Sequence, residues 1–312
     1  MAAELQLKEL AQRKVLLAPG HRLCAGCGAP IVAKMVLLAA SDYPVVAASP
    51  TGCLEVSTCI SDYTAWEIPW IHSAFENAAA TLAGVETMYR ALKKKGKIDK
   101  EIKFIAIAGD GGTYDIGIQS LSGAMERGHD LLYVCYDNGA YMNTGIQRSG
   151  ATPLGADTTT SPAGSVIPGK TQRRKDLTKI MAAHNITYTA QASPSHWSDL
   201  LKKVSKAVSM KGPKFINVIT PCHRGWRARV EDTILLARLA VQTCYWPLYE
   251  VENGITRVTY KPREKKPIEE FLKLQGRFKH LFAPENEWII KQFQEDIDRE
   301  WERLLKEESL YA

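Results

Sequence analysis

The sequence predicts an α/β protein: a parallel sheet with helices on both faces and a helical extension at the C-terminus. Three observations lead there. Continuous apolar runs recur at residues 104–108 and 131–136, the pattern of strands covered on both sides. Segments with helical spacing separate such runs, giving β-α-β-α-β order. Gly and Pro clusters punctuate the run ends.

Taken in order, Pro30 followed by Ile31, Val32, Met35, Val36 and Leu38 starts a helix with Pro in its first turn. Residues 45–48 make a short buried strand that ends at Pro50-Thr51-Gly52-Cys53. Residues 73–95 are Ala-rich and close with Lys93-Lys94-Lys95-Gly96, placing cations at the negative end of a helix dipole. The strand at 104–108 leads to a helix over 115–127, ending at Gly128, and then to the strand at 131–136. Residues 143–172 are rich in Thr, Gly, Pro and Ser and read as a long loop, a length associated with function or with a lid. Helix 176–184, strand 186–190, helix 195–209 and strand 215–220 follow, then a helix over 232–245. Residues 256–260 alternate as an exposed strand, and 261–267 form a charged connector. Ile289, Phe293, Ile297, Trp301 and Leu305 recur every fourth residue, an amphipathic helix that packs either on its own domain or on a partner subunit. There is no internal repeat. The expected division is a main domain over 1–230 and a C-terminal extension over 231–312 with a subunit-packing role.

Composition narrows the function. The 312 residues are 45% hydrophobic and 24% charged, enough to bury a large core. No apolar run reaches the ~18 residues of a membrane helix, and residues 1–5 lack a basic-then-apolar leader, so a cytosolic protein is expected. The net charge of +6 is mild, and it either assists docking to acidic partners or serves solubility. Lys and Arg are not interleaved with aromatics in a compact segment, which excludes a nucleic-acid interface. Seven cysteines in a reducing compartment argue against disulfides. Cys24 and Cys27 in C-A-G-C-G, Cys53 in T-G-C-L and Cys222 in T-P-C-H stand near Gly or Pro and read as metal or cluster ligands. Cys59, Cys135 and Cys244 read as small core residues.

The other strong signal is Gly109-Asp110-Gly111-Gly112 at the end of one strand, with Asn138 at the end of the next. Ligands bind at the carboxyl ends of parallel strands, where glycines and a helix N-terminus admit phosphate. Asp110 and Asn138 offer hard oxygens to Mg²⁺, and the Ala140 carbonyl is near enough in sequence to be a third. The plainer reading is an Asp-Gly turn and a loop asparagine; two such sites at matching strand ends favour a magnesium-diphosphate clamp. The four thiols by themselves fit structural zinc, a redox pair or an iron–sulfur cluster.

Gly109-Asp110-Gly111 with Asn138 resembles the thiamine-diphosphate motif. The segment Tyr136-Asp137-Asn138-Gly139-Ala140-Tyr141-Met142-Asn143-Thr144-Gly145 resembles the beta subunit of the 2-oxoacid:ferredoxin oxidoreductases. So do Gly20-His21-Arg22-Leu23-Cys24-Ala25-Gly26-Cys27-Gly28, Trp70-Ile71-His72-Ser73-Ala74-Phe75-Glu76-Asn77 and Phe271-Leu272-Lys273-Leu274-Gln275-Gly276-Arg277-Phe278. The resemblance covers nearly the whole chain. It implies a thiamine-diphosphate-binding fold in which a 2-oxo acid is decarboxylated and electrons leave one at a time through a [4Fe–4S] cluster. It implies Asp110, Asn138 and the Ala140 carbonyl as Mg²⁺ ligands, Asn143 at the reacting end of the cofactor, and Cys24, Cys27, Cys53 and Cys222 as cluster ligands. It further implies an alpha subunit carrying the activating Glu and most substrate contacts, gamma and delta ferredoxin-like subunits, and ferredoxin as acceptor. Glu55 and Glu76 are candidates for the missing carboxylate here, but each reads better as structural.

For the substrate, the pyruvate branch often has an acidic residue where this chain has Gly139, and Pro after the last cysteine where this chain has His223-Arg224-Gly225-Trp226-Arg227. A more positive neighbourhood suits a dianion, so the expectation leans to oxalate, with pyruvate and acetyl-CoA formation as the alternative. A non-redox thiamine enzyme would share the clamp without the cluster, and an electron-transfer subunit would share the cysteines without the clamp. His21, His72, His129 and His223 read as structural.

Overall fold

The computed structural model describes residues 7–60 and 62–310; residues 1–5, read above for a leader, lie outside them. In chain order come α1 (Leu7–Gln12), α2 (Gly28–Ala39), β1 (Val45–Pro50), α3 (Cys53–Thr58), β2 (Cys59–Ile60), β3 (Tyr63–Thr64), β4 (Trp70–Ser73) and α4 (Ala78–Lys94). Then come β5 (Lys103–Gly109), a π-helical turn over Gly111–Asp115, α5 (Ile118–Glu126), β6 (Leu132–Asp137), α6 (Leu177–Ala182), β7 (Tyr188–Ala192), α7 (Trp197–Ser209) and β8 (Lys214–Ile219). The chain ends with α8 (His223–Trp226), α9 (Thr233–Gln242), β9 (Leu248–Glu252), β10 (Ile255–Tyr260), α10 (Glu269–Leu272) and α11 (Glu287–Ser309).

Eight strands form one sheet in the order β10-β9-β7-β8-β6-β5-β1-β4. The six strands from β7 to β4 run parallel, as the apolar runs require. Period-two alternation divides β5 and β6 between two cores. Ile105, Ile107, Leu132, Val134 and Tyr136 face one side with α2 and α7, while Phe104, Ala106, Ala108, Tyr133 and Cys135 face the other with α4 and α5. A third core joins α9, α10 and α11 around Trp226, Phe271 and Phe278. Ile289, Phe293 and Ile297 are buried in it, so the apolar stripe of α11 packs on its own chain.

Several local expectations shift. The helix expected from 73 begins at Ala78, because Trp70–Ser73 pairs with β1 as an edge strand. Three half-buried residues and the exposed His72 carry no readable period, which is why β4 escapes a sequence reading. The exposed strand expected at 256–260 pairs antiparallel with β9, and β9 pairs antiparallel with β7. Asn253 and Gly254 both take positive φ, the turn that a two-residue hairpin favours. The helix expected from 115 starts at Ile118 because residues 111–115 form the π turn. Residues 143–172 hold no helix or strand, yet 149–153 are buried, so this part of the loop is a strap fixed against the sheet.

Candidate functional site: a carboxylate clamp and four thiols

Strands β5 and β6 are neighbours with Gly109 opposite Tyr136, so Asp110 and Asn138 leave adjacent strand ends. Asp110 is fully buried. Its Oδ1 accepts the Asn138 backbone N–H at 3.2 Å, and its Oδ2 accepts the Ser149 hydroxyl at 2.5 Å. Burial, followed by the charge of Asp137, pushes the Asp110 carboxyl well above its ordinary range. Neutral donors reduce that cost without supplying a positive charge. Asp137 is also raised, chiefly by burial, with Arg174 opposing the shift. It accepts Tyr114 Oη and Arg174 Nη2, each at 2.6 Å, and the Gly139 N–H at 3.1 Å.

One terminal atom of the Asn138 amide lies 2.9 Å from the Ala140 carbonyl oxygen and 2.9 Å from Asp110 Oδ1. With nitrogen there, the amide donates twice. With oxygen there, it stands from each of the other two oxygens close to the edge of an octahedral Mg²⁺ site, about 3.0 Å for Mg–O bonds of about 2.1 Å. The donor set is therefore the right chemistry and size for Mg²⁺.

Gly111 must be glycine for a packing reason, because a Cβ would stand 2.5 Å from the Tyr141 ring. Gly109 precedes Asp110 at the strand end, and Gly112 follows Gly111. Gly139 takes φ +73°, and a Cβ there would lie 3.1 Å from Arg277 Nη1. The Arg277 guanidinium stacks 4.2 Å from the Trp226 ring centroid. Burial lowers its pKa to about 10 against the pull of Tyr245, Asp137, Cys222 and Asp110. Glycine at 139 thus follows from backbone conformation and from Arg277. Arg224 is exposed, and exposed Arg227 pairs with Asp157. The missing carboxylate at position 139 therefore has a structural explanation unrelated to a dianion.

The four proposed ligand cysteines gather near the clamp. Cys27 caps α2, Cys53 begins α3 and Cys222 caps α8, while Cys24 is exposed. Cys27 feels the charge of Cys222, Cys53 and Cys24, Cys53 that of Cys222 and Cys24, and Cys222 that of Cys24. Burial pushes the Cys27 thiol up to about 12 and Cys53 up to about 11. Such thiols remain protonated unless a cation takes the proton's place. Among the described residues no three His, Cys, Asp or Glu side chains are arranged to hold a metal ion. A lone zinc would bring its four sulfurs to about 3.8 Å from one another.

The two groups share supports. Trp226 Nε1 donates to the Asn138 carbonyl at 2.6 Å while its own N–H meets the Cys222 carbonyl at 2.8 Å. Exposed Asn143 hydrogen-bonds the Cys53 thiol with its side chain. Sequence reasoning gave no role to Ser149, Asp137, Arg174, Trp226 or Arg277, although Asp137, Trp226 and Arg277 lie inside quoted segments.

The remaining candidates have ordinary surroundings. His129 meets Glu86 at 2.8 Å. Buried Glu55 lies 3.4 Å from exposed His72 and 3.8 Å from the Cys59 sulfur. The Glu76 carbonyl accepts Ser120. His21 and His223 leave Nδ1 without a partner close in sequence to the cysteines. Cys135 and Cys244 are buried as expected, while Cys59 is half-buried.

The family described as thiamine pyrophosphate enzyme, C-terminal TPP binding domain, matches residues 50–218. The pyruvate synthase subunit PorB of Thermotoga maritima is 56% identical over 308 residues, covering 96% of this chain and 95% of that one. The PorB of Methanocaldococcus jannaschii is 56% identical over 285 residues, covering 91% and 95%. The ketoisovalerate oxidoreductase subunit VorB of Pyrococcus abyssi is 45% identical over 289 residues, covering 92% and 91%. A 2-oxoglutarate:ferredoxin oxidoreductase structure from Magnetococcus marinus shares the fold, with TM-score 0.53 and 18% identity over 69% of this chain and 76% of that one. No helix among the described residues is long and apolar enough to cross a membrane. The chain belongs to the thiamine-diphosphate-dependent 2-oxoacid:ferredoxin oxidoreductases, as a beta subunit.

Proposed function

We propose that this chain is the beta subunit of a pyruvate:ferredoxin oxidoreductase that forms acetyl-CoA. The observation that carries the substrate is the 56% identity to pyruvate synthase subunits over more than nine-tenths of the chain. Oxalate, the first expectation, has no support from these relatives, and the missing carboxylate at 139 follows from backbone conformation and Arg277. Thiamine diphosphate, when bound, supplies the carbon nucleophile and the electron sink for decarboxylation.

Asp110, Asn138 and the Ala140 carbonyl would hold Mg²⁺ at the ends of β5 and β6, where the ion would neutralise diphosphate charge. Ser149 orients Asp110 by holding its second oxygen. Asn143, exposed in the loop beyond the clamp, would offer its amide to the reacting end of the cofactor. Cys24, Cys27, Cys53 and Cys222 hold a [4Fe–4S] cluster. Their electrostatic influence on one another puts them in one neighbourhood, as the ligands of a cluster must be. Backbone N–H groups of Ala29, Arg224 and Gly225 reach the Cys27 and Cys222 sulfurs and favour their charged form.

No described carboxylate in this chain is placed as an unencumbered proton donor beside the clamp, since Asp137 is committed to Arg174 and Tyr114. An alpha subunit therefore supplies the activating Glu, ferredoxin-like subunits carry the electrons on, and the active form is a hetero-oligomer. The test is ferredoxin reduction by the purified complex with pyruvate, 2-ketoisovalerate or oxalate, with and without coenzyme A. Coenzyme-A-dependent turnover fastest with pyruvate is expected. Preference for the branched acid or full activity of this chain alone would overturn the assignment.

A further inference from the structure

Arg277 carries a buried charge that none of the chemistry above uses. It is 2% exposed. Its Nε donates to the neutral Gln275 Oε1 at 3.0 Å, and its terminal nitrogens hydrogen-bond no described residue. Asp137 is the carboxylate that supports it most strongly, but that group is already committed to Arg174 and Tyr114 at 2.6 Å each. Burial lowers the Arg277 pKa only to about 10, so the guanidinium stays a cation at neutral pH. A buried cation held only by a neutral amide is costly unless an anion stands near it.

The place of the charge indicates which anion. The guanidinium lies 4.2 Å from the Trp226 ring centroid and 4.9 Å from that of Phe278. Trp226 closes α8, the single turn capped by Cys222, and its backbone N–H meets the Cys222 carbonyl at 2.8 Å. Arg277 Nη1 also abuts Gly139 of the clamp loop. Arg277 and Cys222 favour each other's charged forms, and Cys222 supports the guanidinium more than Asp110 does. The other arginines near the cysteines in sequence offer less. Arg22 and Arg224 are exposed to screening water, while Arg227 and Arg229 pair with Asp157 and Glu231. We propose that Arg277 sets the reduction potential of the cluster held by Cys24, Cys27, Cys53 and Cys222, favouring its reduced form. It acts through its field and touches no reacting atom. The cluster takes up one electron and gains one negative charge, no proton moves, and a fixed cation in a poorly screened interior stabilises the more negative state.

The inference rests on the cluster reading, and the test separates the two. The purified hetero-oligomer is titrated potentiometrically and followed by electron spin resonance. The signal absent from Cys27→Ser is that of this cluster; if no signal is lost, the cluster reading falls and the inference with it. At a fixed potential, Arg277→Gln is expected to lower the reduced-to-oxidised ratio of that signal about tenfold, or about 59 mV for one electron. Arg277→Lys keeps the charge without the planar stack and is expected to recover most of the shift. Gln275→Glu sets a carboxylate against Arg277 Nε with little change of shape, and is expected to lower the ratio in the same direction. It carries the test if Arg277→Gln does not retain iron. A wild-type potential in Arg277→Gln or in Gln275→Glu, or an equal drop in Arg277→Lys, would overturn the proposal. Weakened thiamine diphosphate binding at an unchanged potential would assign the charge to the clamp and overturn it as well.

Discussion

The clamp and the cysteine group lie side by side yet are organised differently. Asp110, Asn138 and Ala140 stand on buried strand ends, and each Asp110 oxygen already has a donor. The thiols sit at helix starts and in a loop, one of them exposed, two held up at about 12 and 11 by burial. The fold preforms the first site; the second takes its charged form only with a cation present. The difference teaches that diphosphate binding and cluster assembly should fail separately.

The largest expected effects test that separation. Asp110→Asn should weaken Mg²⁺-dependent thiamine diphosphate binding by at least about 100-fold, since even a residue that only orients a metal ligand is worth about 10–100-fold. Iron content and the visible cluster absorbance should stay near wild type. Cys27→Ser should do the reverse, abolishing the absorbance while thiamine diphosphate affinity changes by less than about threefold, well under 1.4 kcal/mol. Loss of both cofactors in either variant would mean that the two regions assemble as one unit.

Ser149→Ala comes next. The Ser149 hydroxyl donates to Asp110 Oδ2 at 2.5 Å and otherwise meets only its own strap, at the Ala151 N–H and Thr152 Oγ1, so Mg²⁺ affinity should fall about 10–100-fold with the cluster unaffected. Titration of Mn²⁺ by electron spin resonance in the presence of the cofactor would measure it; an unchanged affinity would remove Ser149 from the support of the clamp. Trp226→Phe is smaller and probes the seam between the two regions. It deletes the 2.6 Å bond to the Asn138 carbonyl and leaves a buried acceptor short, a cost of about 1–3 kcal/mol. Because α8 also carries Cys222, this variant should lower both thiamine diphosphate affinity and the retention of iron during dialysis. A change confined to one cofactor would show the seam to be one-sided.

These partners also explain what was readable beforehand. The apolar runs of β5 and β6 announce buried parallel strands, and the polar residues that follow each run mark the clamp, because strand ends and phosphate sites are local features. Ser149 reaches Asp110 across 39 residues and Trp226 reaches Asn138 across 88, contacts that only the closed sheet creates. Strands β4 and β9 escaped for a related reason: they are short, and their place is set by β1 and β7. The substrate lean failed at Gly139, where a missing carboxylate was taken as electrostatics and is instead a φ of +73° against Arg277.

The smallest expected effect concerns the strap that holds Ser149. Lys170 is 2% exposed and donates to the Thr152 carbonyl at 2.5 Å, and Thr152 in turn holds the Gly139 carbonyl at 2.7 Å. Burial, aided by Arg148 and Arg174, lowers the Lys170 pKa from 10.5 to about 8. Between those two values the unfolded chain binds more protons than the folded one, so this residue makes stability rise with pH from about 8 to about 10.5. Below about 8 the folded protein carries the full cost of a buried ammonium. Lys170→Met removes the titration, so the difference in denaturation midpoint between variant and wild type should drift steadily across that window, by at most about 1.4 kcal/mol per pH unit. A parallel pair of pH profiles would show that the amine stays solvated through the strap. In that case the clamp would depend on the hydroxyls of Ser149 and Thr152 without the charge behind them.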